Sequence, residues 1–93
     1  MGEDSLKGKN LESVARDIGE GYVFVNPLYL KKLDREVVKK LLVAVTRVMN
    51  LIRNEKFPAG DVMAIKKRNI RLTRLNSAST VIKYYAKEQR WTL

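Results

Sequence analysis

The 93 residues include neither histidine nor cysteine. Without cysteine there is no disulfide framework and no thiolate nucleophile, which fits a reducing, cytoplasmic setting. The loss of histidine as well removes the usual nitrogen and sulfur ligands for zinc, the commonest general base and both ordinary nucleophilic dyads. Proline is scarce at two residues and glycine modest at five, while 45% of the chain is hydrophobic, so the composition is that of a globular chain and not a disordered one. Long apolar runs are lacking too. The densest, residues 37–52, is interrupted by Lys39, Lys40, Thr46, Arg47 and Asn50, which excludes a membrane span. Residues 1–10 have no apolar segment of the kind a signal peptide needs.

Phosphate-loop chemistry is also missing. Gly19-Glu20-Gly21 lacks a third glycine and the Lys-Ser/Thr ending of a nucleotide cradle. The carboxylates Asp17, Glu20, Asp34, Glu36 and Asp61 are scattered, mostly where helix caps or first-turn acids belong, and a magnesium site built from two of them has nothing to motivate it. No enzyme activity, cofactor or metal is therefore expected.

What the chain has in excess is positive charge. Nineteen Lys and Arg against ten Asp and Glu give a net +9. So large a charge on so small a chain points to nucleic acid first, an anionic membrane second and an acidic protein third. The charge is uneven. Residues 60–93 hold Lys66, Lys67, Arg68, Arg71, Arg74, Lys83, Lys87 and Arg90 against Asp61 and Glu88, a net +6.

The hydrophobic pattern predicts a mainly α protein, a compact bundle of four to five helices. Residues 1–9 read as a flexible N-terminus and residues 10–93 as one helical domain, with no internal repeat. Asn10 caps a first helix with an apolar stripe of Leu11, Val14, Ala15 and Ile18, stopped by Gly19 and Gly21. Tyr22-Val23-Phe24-Val25 is either a short buried strand or an extended connector. Asn26-Pro27 opens a short helix through Leu33, and Asp34 either caps afresh or lies within its continuation.

Residues 35–54 form the most strongly marked helix. Val37, Val38, Leu41, Leu42, Val45, Val48, Met49 and Ile52 make a broad band, extended by Ala44 and Leu51. Such width means a central core helix or, alternatively, one that also forms a homodimer. Phe57-Pro58-Ala59-Gly60 is the internal linker, and Asp61 caps a helix toward Arg68. Ile70-Arg71-Leu72-Thr73 alternates like a strand, but Lys67, Arg71 and Arg74 share a helical face, and helix is preferred.

The last element starts at Asn76-Ser77, either of which can supply a capping oxygen. Ala78, Val81, Ile82, Tyr85 and Ala86 fall on its apolar side, with Trp91 another core candidate. Thr80, Lys83, Tyr84, Lys87 and Arg90 fall opposite, cations interleaved with a hydroxyl and a phenol. Charge to displace counterions and donors to fix register are what a helix against a phosphate backbone requires.

Ser77-Ala78-Ser79-Thr80-Val81, then Lys83-Tyr84-Tyr85 and Arg90-Trp91-Thr92-Leu93, resembles the recognition helix of helix-turn-helix and winged-helix DNA-binding proteins. The resemblance implies a C-terminal helix-turn-helix-like unit, hydroxyls of Ser77 and Thr80 near DNA, Val81 in the core, and a truncated wing after Arg90. The leading expectation is a small DNA-binding regulator or accessory factor. Ser77, Thr80, Lys83, Tyr84, Lys87 and Arg90 would meet duplex DNA, and Lys66, Lys67, Arg68, Arg71 and Arg74 would grip phosphates. The alternative is an all-helical assembly subunit that binds RNA or an acidic protein partner. A lesser reading attaches the terminal basic helix to anionic lipid.

Overall fold

Four short polar side chains start four helices in the computed structural model, which describes residues 10–56 and 60–92. Asn10 accepts from the Glu12 N–H at 2.8 Å and opens α1, Leu11–Glu20. Asn26 accepts from the Tyr29 N–H at 2.8 Å and opens α2, Pro27–Lys31, with Pro27 in the first turn. Asp34 caps afresh, accepting from Val37 at 2.9 Å, and opens α3, Arg35–Arg53. Asp61 accepts from Ala64 at 3.0 Å and opens α4, Val62–Glu88. Each cap satisfies an N–H that the first turn of a helix leaves without an intrahelical partner. The expectations for residues 1–9 and for most of the linker, Phe57-Pro58-Ala59, lie outside the described residues.

The chain is mainly helical, with four helices and no strand among the described residues. Its largest fully buried side chains are Leu30 of α2, Val38, Leu41, Val45 and Val48 of α3, and Leu75 and Ile82 of α4. Val14, Ala15 and Ile18 of α1 complete the same core. So α3 is the central helix, packed against α1 and α4, and α1 and α2 also pack on α4. Its broad apolar band is covered internally. Of the band only Leu51 is exposed, together with the outward Val43.

One local expectation is corrected and one open alternative is resolved. α1 runs on through Gly19, which is buried against the Leu75 side chain, and stops at Gly21, whose φ of 87° is left-handed. There the Tyr22 N–H donates to Asp17 O and the Gly21 N–H to Ile18 O, the paired bonds of a Schellman ending. Residues 22–25 form no strand. They are an extended connector in which Val25 is buried and Val23 half-buried, while Tyr22 and Phe24 are each 79% exposed.

The largest correction concerns the last third. The pieces expected at 61–68, 70–75 and 77–90 are one 27-residue helix. Asn76 and Ser77 are interior positions of α4, and no turn separates the segments that a helix-turn-helix would pair. A side-chain cap is worth about 1 kcal/mol. Running straight through instead lets Leu75, Ala78, Ile82 and Ala86, spaced by three or four, all bury on one line. A fully buried leucine or isoleucine alone stabilises by roughly 1.5–3 kcal/mol, so burial outweighs the cap. At about 1.5 Å per residue α4 is roughly 40 Å long and sets the longest dimension of the molecule, which is 44 Å.

α4 ends in a second Schellman ending. Trp91 N–H donates to Ala86 O at 2.9 Å and Arg90 N–H to Lys87 O at 3.0 Å, with Arg90 itself left-handed at φ 60°. Trp91 folds back, half-buried, edge-on to the Tyr85 ring with centroids 5.7 Å apart. That is the apolar contact which commonly accompanies this ending. Residues 89–92 therefore turn and do not begin a wing strand.

Candidate nucleic-acid interface

A helix repeats every 3.6 residues, so positions spaced alternately by four and three stay on one face. From Lys66 along α4 that spacing visits Asn69, Thr73, Asn76, Thr80, Lys83 and Lys87, and every one of them is exposed. Ser77 and Tyr84 lie beside the row and are exposed as well, Tyr84 by 63%. The opposite side of the helix carries Leu75, Ala78, Ile82 and Ala86 into the core. No acid occurs on α4 before Glu88. From Lys66 to Lys87 the row is thus a polar, cationic strip on the outside of the bundle, with the exposed Val62 and Ile65 adjoining its start.

The hydroxyls in the strip are partly committed. Thr73 Oγ1 donates to Asn69 O at 2.9 Å and Thr80 Oγ1 to Asn76 O at 3.1 Å. This back-bonding fixes each rotamer and leaves the oxygen free to accept. Asn76 sits between the two threonines with its amide exposed, a group that can both donate and accept.

The cations first grouped by sequence fall into two populations. Lys66, Lys67, Lys83 and Lys87 are exposed on α4, and Arg90 is exposed just past its end. The three arginines reach to the ends of neighbouring helices, Arg68 and Arg71 partly buried and Arg74 exposed. Arg68 donates from Nε to Ile52 O at 3.4 Å and from Nη2 to Arg53 O at 3.3 Å, carbonyls at the C-terminal end of α3. Arg74 donates from Nη1 to Gly19 O at 3.1 Å, near the end of α1. Arg71 lies between them, 3.4 Å from Glu55 and 3.9 Å from Glu20, with its side chain only 21% exposed. Its Nε is buried without a hydrogen-bond partner, a cost that the two carboxylates offset.

The helix dipole explains this use of arginine. The last carbonyls of a helix lack intrahelical donors and carry partial negative charge, so guanidinium groups bind there favourably. Arg68, Arg71 and Arg74, at spacings of three, clasp the C-terminal ends of α1 and α3 together. Two acids from the first part of the chain neutralise Arg71. The C-terminal charge is therefore only partly available to a partner.

Asn69 and Thr73 belong to the strip but are not among the contacts expected from the sequence, where Asn76 figures only as a helix cap. The signal was present in the unbroken alternation of fours and threes. It was hidden because Asn76 and Ser77 read as a helix start. Compared with protein-family models, curated proteins and solved structures, the chain matches none.

Proposed function

We propose that the protein binds duplex DNA through the outward face of α4, as a small regulator or DNA-associated accessory factor. The observation that carries this reading is the single exposed row of Lys66, Asn69, Thr73, Asn76, Thr80, Lys83 and Lys87, without an acid before Glu88. An α-helix fits the major groove. Lysines toward either end of the row would neutralise phosphates, releasing counterions, while the amides and hydroxyls between them would reach phosphates or base edges. Asn76 is of the type that pairs with adenine through two hydrogen bonds. In this reading α4 takes the place of a recognition helix but enters as one long element, with Tyr84 and Ser77 beside the contact and Arg90 at its end. Arg68, Arg71 and Arg74 act behind it, by holding α4 on the bundle.

The test is a binding titration with duplex DNA, single-stranded DNA and RNA across a salt series. Duplex binding should weaken steeply with salt and be lost in Lys83→Glu/Lys87→Glu, a variant whose helicity should be unchanged because both side chains are exposed. Unchanged duplex affinity in that variant would remove the proposal. A preference for RNA over duplex would favour instead the role of a subunit in a ribonucleoprotein assembly.

A further inference from the structure

Arg68 contacts the last carbonyls of α3, so the α4 residues before it project past the end of that helix. The projection leaves Met63 74% exposed, and Ile70, two turns further on, is 42% exposed. Met63, Lys67, Ile70 and Arg74 follow one another by four, three and four, which places them along one flank of α4. A groove runs beside that flank from Met63 past Ile70 to Arg74. Arg74 also borders a second groove, between α4 and the connector that carries Phe24, itself 79% exposed. The apolar lining of the first groove, Met63, Ala64 and Ile70, is set among basic side chains and the acids Asp61 and Glu20. Neither Lys66 nor Lys67 is paired with an acid among the described residues. The nearby acids are engaged: Asp61 caps α4 and Glu20 faces Arg71.

We propose that this groove receives the apolar face of an acidic amphipathic helix from a partner protein. Such a helix presents apolar anchors at i, i+3 or i+4, and i+7, the same interval that separates Met63 from Ile70, and a groove lined this way takes them. Its flanking carboxylates would meet Lys66 and Lys67, which raises the association rate and selects against basic partners. Charge also argues against a second copy of this chain as the occupant. Two such flanks packed together would bring Lys66, Lys67 and Arg74 toward their own counterparts, and like charges repel at short range. This inference rests on the apolar flank; it shares Lys66 with the outer strip, so Met63→Asp/Ile70→Asp, which alters no strip residue, separates it from duplex binding.

The full chain is titrated with a fluorescent synthetic peptide of about three heptads, leucine on one face and glutamate on the others. Saturable binding is expected. Met63→Asp/Ile70→Asp should weaken it by about tenfold or more, the scale of losing central anchors. Both positions are exposed, and helicity measured by circular dichroism confirms that the variant folds. Lys66→Glu/Lys67→Glu should also weaken binding, and should gain affinity for the same peptide with glutamate replaced by lysine. Lys87→Glu, remote from the groove, should leave peptide binding unchanged. The proposal falls if the peptide does not saturate, or if the Met63→Asp/Ile70→Asp variant binds it as tightly as the parent. It falls equally if light scattering finds a dimer that the same variant dissociates, since a second copy would then be the occupant.

Discussion

Arg74 reaches across from α4 and lies over Gly21, its guanidinium carbon 3.1 Å from where a Cβ at Gly21 would sit, while its Nη1 donates to Gly19 O. The end of α1 and the middle of α4 are therefore built as one joint. Gly21 supplies the left-handed turn that stops α1, and its missing side chain is what admits the arginine.

Gly21→Ala should destabilise the fold by about 1–2 kcal/mol from the left-handed backbone alone, with a further loss as Arg74 is displaced. Gly19→Ala should be far milder, because a Cβ there meets the Leu75 side chain at 3.4 Å, an ordinary contact. Urea denaturation of the two variants measures the difference. Equal losses would mean that the joint is not built as described.

The opposite sign is expected at Arg90, a non-glycine held at φ 60°. Arg90→Gly should stabilise by roughly 0.5–1 kcal/mol, the usual advantage of glycine at a left-handed helix ending. Thermal unfolding reads this as a rise of several degrees, about 4–8 °C per kcal/mol for a domain of this size.

The continuity of α4 is tested at Ser77. If Ser77 were a helix start, Ser77→Ala would cost about 1 kcal/mol. As an exposed interior position it should instead stabilise by a few tenths of a kcal/mol, since alanine is the better helix former. Chemical denaturation separates the two outcomes.

The two populations of cations should respond differently. Arg68→Ala, Arg71→Ala and Arg74→Ala should each lower stability by about 1 kcal/mol, the scale of a single partly exposed charged hydrogen bond or ion pair. Part of the Arg71 effect should fade at high salt. Lys66→Ala, Lys83→Ala and Lys87→Ala should stay within about 0.5 kcal/mol of the parent. In duplex titrations the pattern reverses. Each of those lysines that neutralises a phosphate should lower the slope of log affinity against log salt by about 0.9 when removed.

Much of the fold was legible in the residues themselves. The helix starts at Asn10, Asn26 and Asp61, and the one left open at Asp34, are short-range events between one side-chain oxygen and an N–H two or three positions later. The apolar period of α3 likewise marked the helix that fills the core, while Tyr85 and Trp91, expected in the core, are half-buried against it. For the candidate interface, the outward positions of Thr80, Lys83, Tyr84 and Lys87 followed from period alone.

Tertiary structure decided the rest. Asn76-Ser77 has the chemistry of a cap, and only the packing of Leu75, Ala78 and Ile82 on one line shows why it does not act as one. Arg68, Arg71 and Arg74 have the same charge as the lysines around them. Nothing local distinguishes them, because the carbonyls and carboxylates that hold them lie 15 to 55 positions away in the chain. Periodicity determines which side of a helix a residue occupies. Which of those sides meets another helix end, and which remains for a partner, depends on how the helices pack together.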